Sequence, residues 1–159
     1  MSLEENKALV RRYLEQVATR GAAAADDDGL LAPDFVAHVG ANRARTRDEH
    51  REGLARLTQA FSEGRLTIHH LVAEGDLVVA RFTVDATHTG EFLGHPPTGK
   101  RIRNAVVDIY RIAGGRIVEV WGLANSLDLL RQLGVLPDDL RRERGPPVPP
   151  LAFPPPADA

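Results

Sequence analysis

Three side chains in this 159-residue chain put proton-moving groups at the ends or centres of apolar strands: His38, His88 and Asp108. An imidazole titrates near pH 6.5, close to working pH, which suits a general base. A carboxyl group in an apolar site holds its proton more tightly and can stay neutral and donate. Together they would serve the removal of a proton beside a carbonyl and the stabilisation of the enolate. A second reading for Asp108 is structural: it accepts the Trp121 indole N–H or a hydroxyl and so fixes the core. His38 reads equally as a solvated strand edge.

Other chemistries lack their residues. The chain has no cysteine, hence no thiolate nucleophile, disulfide or cysteine metal site. Its lysines are Lys7, on an exposed helix position, and Lys100, in a turn, poor candidates for a Schiff base. His69 and His70 are neighbours in a strand, expected on opposite faces and unable to share a metal. The triplet Asp26-Asp27-Asp28 cannot converge on one ion from regular structure and reads as a solvated helix start. No nucleophile elbow, phosphate loop or zinc spacing is present. No metal and no cofactor is expected.

The elements that would position these groups centre on residues 87–125. The run Leu77–Thr89 alternates cleanly, with Val78, Ala80, Phe82, Val84, Ala86 and His88 on one face. After a Gly/Pro-rich loop (90–100), the strand Ile102–Ala113 puts Ile102, Asn104, Val106, Asp108, Tyr110 and Ile112 together. Gly114-Gly115 reverses the chain, and Arg116–Asn125 returns antiparallel. Counting back from that turn sets Asp108 opposite Trp121. Both apolar faces would line one interior, so His38, His88 and Asp108 are expected in one apolar pocket with Tyr13, Trp121 and Asn125 around it.

Upstream, Ser2 to Arg20 reads as a helix with a Ser2/Glu5 capping box and an apolar stripe of Leu3, Val10, Tyr13, Leu14 and Val17. Ala22–Leu31 reads as a poor second helix. Phe35–Val39 is a short strand with Phe35 and Val39 on one face and Val36 and His38 on the other. A second capping box, Thr46 with Glu49, starts a helix to about Ser62, with His50 peripheral in its first turn. Leu66–Ala73 is a strand and Leu127–Leu133 a last short helix. Residues 1–137 form one domain, and 138–159 are proline-rich and read as an irregular tail or a polyproline ligand.

The net charge of −2 gives no electrostatic case for nucleic acid or an anionic membrane. No apolar run nears the roughly 20 residues that span a bilayer. The acidic start MSLEENK lacks a signal segment, so a cytoplasmic home is the default.

Three segments, THTGEFLGHPPTGKRI, VVDIYRIAGGRIVEVWG and LLRQLGVLP, resemble the SnoaL-like polyketide cyclase group of the nuclear-transport-factor-2-like superfamily. The likeness runs from about Asn6 to Pro137. It implies an α+β cone, a curved antiparallel sheet covered by helices around an apolar pocket, and commonly a homodimer. An apolar outer strip around Ala105, Val107, Ile109 and Val118 would suit such a dimer. Laid on the related ketosteroid isomerases, the oxyanion acid falls on Asp108, the helix-one donor on Tyr13 and the base on His38. The characterised cyclases carry an aspartate in or just after the Trp strand; here no carboxylate follows Trp121 before Asp128.

The expected site is then His38, Asp108 and His88 as catalytic groups, with Tyr13, Phe35, Asn104, Tyr110, Trp121 and Asn125 binding substrate. The expected activity is acid/base ring closure of a hydrophobic, polyketide-type carbonyl substrate. The alternatives are a non-catalytic binder of hydrophobic metabolites, a structural role through the tail, or another reaction on the scaffold (pericyclic cyclisation, isomerisation, epoxide opening).

Overall fold

The computed structural model describes residues 1–20, 29–40 and 43–136. Most of the expected second helix, the acidic triplet and the tail from residue 137 lie outside these residues. Helix α1 (Leu3–Arg20) opens on the expected capping box, with Ser2 N–H donating to Glu5 Oε2 and Glu5 N–H to Ser2 Oγ. It buries Val10, Tyr13 and Leu14, while Leu3 stays exposed. Strand β1 (Leu31–Val39) follows, then the two-residue β2 (Arg45–Thr46). Helix α2 (Arg47–Ala60) starts on the Thr46/Glu49 box. It stops two residues before Ser62 because Phe61 has extended backbone and begins β3 (Phe61–Glu74). Strands β4 (Leu77–His88), β5 (Arg101–Ala113) and β6 (Arg116–Ala124) lead to helix α3 (Ser126–Leu133).

The six strands form one sheet in the order β2-β1-β6-β5-β4-β3, left open at both ends. The expectation of a purely antiparallel sheet needs one correction: β1 pairs parallel to β6. The chain can do this because α2 and four strands separate the two in sequence. The main core packs α1 over β3 and β4 and joins it to β1, β5 and β6 through Tyr13, Phe35, Phe82, Tyr110, Ile117 and Val120. A smaller cluster under α3 joins Leu129 and Leu133 to Ala86 and Ile102.

Two bulges set which side chains face that core. In β6, Ile117 pairs with Ile112 but Glu119 pairs with Arg111, so Val118 is an extra residue. One inserted residue flips every later side chain to the other face. Asp108 therefore lies opposite Gly122, and Trp121 lies opposite Ile109. In β3 the register also slips between Ile68 and His70. His69 and His70 consequently both meet the outer face, bonded to Thr83 and Arg81 rather than divided between faces.

Close backbone contact ties the end of α2 to the end of β4. The amides of Thr89 and Gly90 both donate to Ala60 O. A Cβ at Gly90 would sit 2.3 Å from Gln59 O, whereas one at Gly64 would meet nothing within 4 Å. Gly90→Ala should cost about 1–3 kcal/mol in urea unfolding, with Gly64→Ala close to parent; equal effects from the two would contradict this packing.

Candidate functional site

Asp108 is the catalytic candidate that the fold places on the inner face beside the Tyr13–Tyr110 core, partly accessible. Its carboxyl group is aimed by Tyr110, two residues along the same strand face, whose O–H donates to Asp108 Oδ2 at 2.8 Å. Across the ladder it faces Gly122, where a Cβ would come within 2.8 Å of Asp108 Oδ1 and 2.6 Å of Val39 Cγ1. Glycine at that position makes room for the carboxyl group. Burial pushes the Asp108 pKa up to about 6, and the Tyr110 hydrogen bond holds it back from rising further. Burial also pushes the Tyr110 phenol well above its usual range, with the nearby Asp108 carboxylate adding to the shift. The phenol thus stays protonated and keeps donating.

Beside this pair sits a second one that the sequence reading missed. His50, expected to be peripheral, is only 8% exposed. Its Nε2 lies 3.1 Å from the Tyr13 hydroxyl, and its ring packs 5.3 Å from that of Phe35. The Tyr13 ring in turn meets Tyr110 edge-on at 6.0 Å. Burial, then the charge of Arg45, pushes the His50 pKa down to about 4. His50 shares a helix stripe with Leu54 and Leu57, but along it His50 is buried, Leu54 half-buried and Leu57 exposed.

The inner face opens in its middle. On β5, Asn104, Val106 and Asp108 are only partly buried, while Ile102 at one end and Tyr110 and Ile112 at the other are fully so. Val84 on β4 and Gly122 on β6 are likewise partly accessible. The Asn104 side-chain oxygen is buried there without a hydrogen-bond partner. This partly accessible stretch, with the Asp108 carboxyl group at one end, Val106 in the middle and the unsatisfied Asn104 oxygen at the other end, is the candidate site.

The other expected members are elsewhere. His38 and Trp121 face outward, because His38 alternates with buried Ala37 and the Val118 bulge turned Trp121 over. They stack on each other at 5.5 Å, and His38 Nε2 donates to Glu119, which also accepts from Arg111. Trp121 therefore cannot donate to Asp108. His88 does face inward and is fully buried, but it pairs far along β4 from Ala80, the residue opposite Asp108. Eight residues of strand make roughly 26 Å. The backbone N–H of Thr98 donates to His88 Nδ1, so the ring proton sits on Nε2 and no ring lone pair is free. His88 cannot act as the base in this arrangement. Asn125 is exposed and caps α3, accepting from the Asp128 N–H. Phe35, Tyr13 and Tyr110 are packed core that holds the site in shape rather than open lining. Among the described residues, no cluster of His, Asp or Glu could hold a metal ion.

A family model described as SnoaL-like polyketide cyclase matches residues 8–133. AclR from Streptomyces galilaeus, a proposed hydroxylase, is similar at 31% identity and a TM-score of 0.77, over 86% of this chain and 100% of that one. TsrD from Streptomyces laurentii is 28% identical with a TM-score of 0.74, over 86% and 99%. IdmH from Streptomyces antibioticus, a proposed polyketide cyclase, is 29% identical with a TM-score of 0.64, over 77% and 96%. No curated protein sequence matches.

The two shifted groups pull stability in opposite directions. Folding raises the Asp108 pKa from 3.8 to about 6, so its contribution to stability is lost as pH climbs through that window. Folding lowers the His50 pKa from 6.5 to about 4, so its contribution is lost as pH falls through that window. Each amounts to about 3 kcal/mol, and between pH 4 and 6 they offset each other. Relative to the parent, Asp108→Asn should gain stability more steeply as pH rises from 4 to 6, and His50→Gln should lose it. Urea unfolding at several pH values measures this; two variants with the parent's pH slope would refute the paired shifts.

Proposed function

Since this chain belongs to the SnoaL-like polyketide cyclase family, we propose that it closes a ring in a hydrophobic, polyketide-type carbonyl substrate, with Asp108 as general base and then acid. The observation that carries this reading is the Asp108 carboxyl group, fixed by Tyr110 on an open apolar face with its pKa raised to about 6. Near neutral pH most of it is ionised yet basic enough to take a proton. Asp108 removes the hydrogen from a carbon beside one carbonyl. The resulting enolate carbon attacks a second carbonyl carbon of the same molecule. A carbon–carbon bond forms, the second carbonyl becomes an alkoxide, and Asp108 returns the proton to it. Atoms balance without a cofactor. Tyr110 keeps its proton throughout and orients the carboxylate.

The partly buried side chains of Val84 and Val106 would give an apolar ligand hydrophobic contact, and Asn104 would offer it a hydrogen bond. The unsatisfied Asn104 oxygen equally fits a second reading, in which the protein binds such a ligand without turning it over.

The outer face carries the partner proposal. Val107, Ile109 and Leu123 are 41%, 36% and 76% exposed on adjoining strands, beside the His38–Trp121 stack. We propose that a second copy covers this strip. Leu123→Glu with Val107→Glu should turn a dimer into a monomer in light scattering; a parent that is monomeric at tens of micromolar would overturn it.

Asp108→Asn keeps a hydrogen-bond donor but removes the titrating group. It should lower turnover about a hundred- to ten-thousandfold, with folding confirmed by circular dichroism. The parent's kcat/KM should rise with pH to a plateau above about 6, and Tyr110→Phe should move that midpoint upward, since the bond it removes holds the pKa down. Unchanged turnover in Asp108→Asn would end the acid/base reading, while lost ligand affinity without any parent turnover would favour the binding one.

A further inference from the structure

A cavity of about 190 Å³ lies between β2 and the first turns of α2, lined by Arg43, Arg45, Glu49, Glu52 and Arg56. Its carboxylates are already engaged. Glu49 Oε1 accepts from Arg43 at 2.8 Å while Oε2 accepts from the Thr46 N–H in the capping box. Arg43, followed by that capping bond, holds the Glu49 pKa down at about 2, so it remains ionised and committed. Glu52 pairs with Arg56 at 3.8 Å. Arg45 remains, half-buried, with no carboxylate and no hydrogen-bond acceptor on its guanidinium among the described residues. Two glycines give that guanidinium its room: a Cβ at Gly53 would lie 3.2 Å from Nη1, and one at Gly40 3.7 Å from Nη2. A guanidinium taken partly out of water keeps its cost low only with an acceptor in place.

The sheet places this cavity on the same side as the candidate site. Arg45 pairs with Ala37, Ala37 with Val120, and Val120 with Tyr110. Directly paired residues share a face, and Ala37, Val120 and Tyr110 are all buried inward. Arg45 thus stands at the inner face's edge, three strand spacings, or roughly 14 Å, from the Tyr110 strand.

We propose that this cavity is a binding site for a compact oxyanion, a carboxylate or a phosphate group, with Arg45 as its principal ligand. Its planar fork suits bidentate contact with either anion, and the small volume suits the anionic end of a ligand rather than a whole one. This goes beyond the reading of Asp108 and does not depend on it, because the readout is binding rather than turnover.

His50 supplies a reporter, since the Arg45 charge acts on its ring. The experiment titrates inorganic phosphate and, separately, acetate into the full chain at fixed ionic strength, following the His50 ring signals by NMR. At least one anion should saturate and raise the His50 titration midpoint by countering Arg45. Arg45→Met should weaken that binding roughly ten- to hundredfold. Glu52→Gln, which removes a negative charge from the wall and leaves the β2 pairing intact, should tighten it. Saturation by phosphate alone or acetate alone assigns the anion class. The proposal is overturned if neither anion saturates, if Arg45→Met binds like the parent, or if Glu52→Gln fails to tighten binding.

Discussion

The extra residue Val118 is the constraint on which the arrangement of the site depends. A tight reversal at Gly114-Gly115 with unbroken pairing would set Trp121 opposite Asp108. The inserted residue instead puts Gly122 there and leaves Val120 inside. The carboxyl group gains space against a glycine and loses an indole N–H as a partner. With the Tyr110 hydroxyl as its one bonded donor among the described residues, burial dominates and its acidity falls. A second strong donor would have held it in the usual carboxylate range. The register of one strand pair thus sets the protonation chemistry of the next.

Much of this was legible in the sequence, and the failures share a cause. The β4 and β5 faces follow period-two alternation, so Asp108, Asn104, Tyr110 and His88 were assigned to the inner side correctly. Both capping boxes were readable because their partners lie three residues apart. Trp121, His69 and the Asp108 partner were misplaced because a bulge leaves no local signature in Val118 or His69. Asn125 was read as pocket lining although Asp128, three residues on, marks it as a helix cap. His50 reads as peripheral from its place in the helix's first turn, yet Tyr13 on another element meets its nitrogen. Contacts between distant segments decide such cases, and spacing cannot show them.

His88 shows how a buried histidine can be fixed by one backbone bond. Thr98 donates its N–H to Nδ1, and the Thr98 hydroxyl lies 3.1 Å from the same nitrogen. That anchors the loop after β4 onto the strand, with Phe61 and Phe92 packed around the ring. The polar residue that ends the apolar face of β4 therefore pins the following loop, and Asp108 lies well away from it, opposite Ala80 on the same strand.

The long strand β3 is a sheet margin, and its two register slips have a consequence for assembly. They fall after Ser62 and after Ile68, so the regular pairing with β4 is divided into short runs. A margin that is straight over fourteen residues would offer another chain a ready row of amides and carbonyls. One that is kinked twice offers no long template, and the protein is steered away from growing its sheet sideways into open-ended fibres. Contact between copies is left to surfaces where side chains, rather than backbone, decide which partner fits.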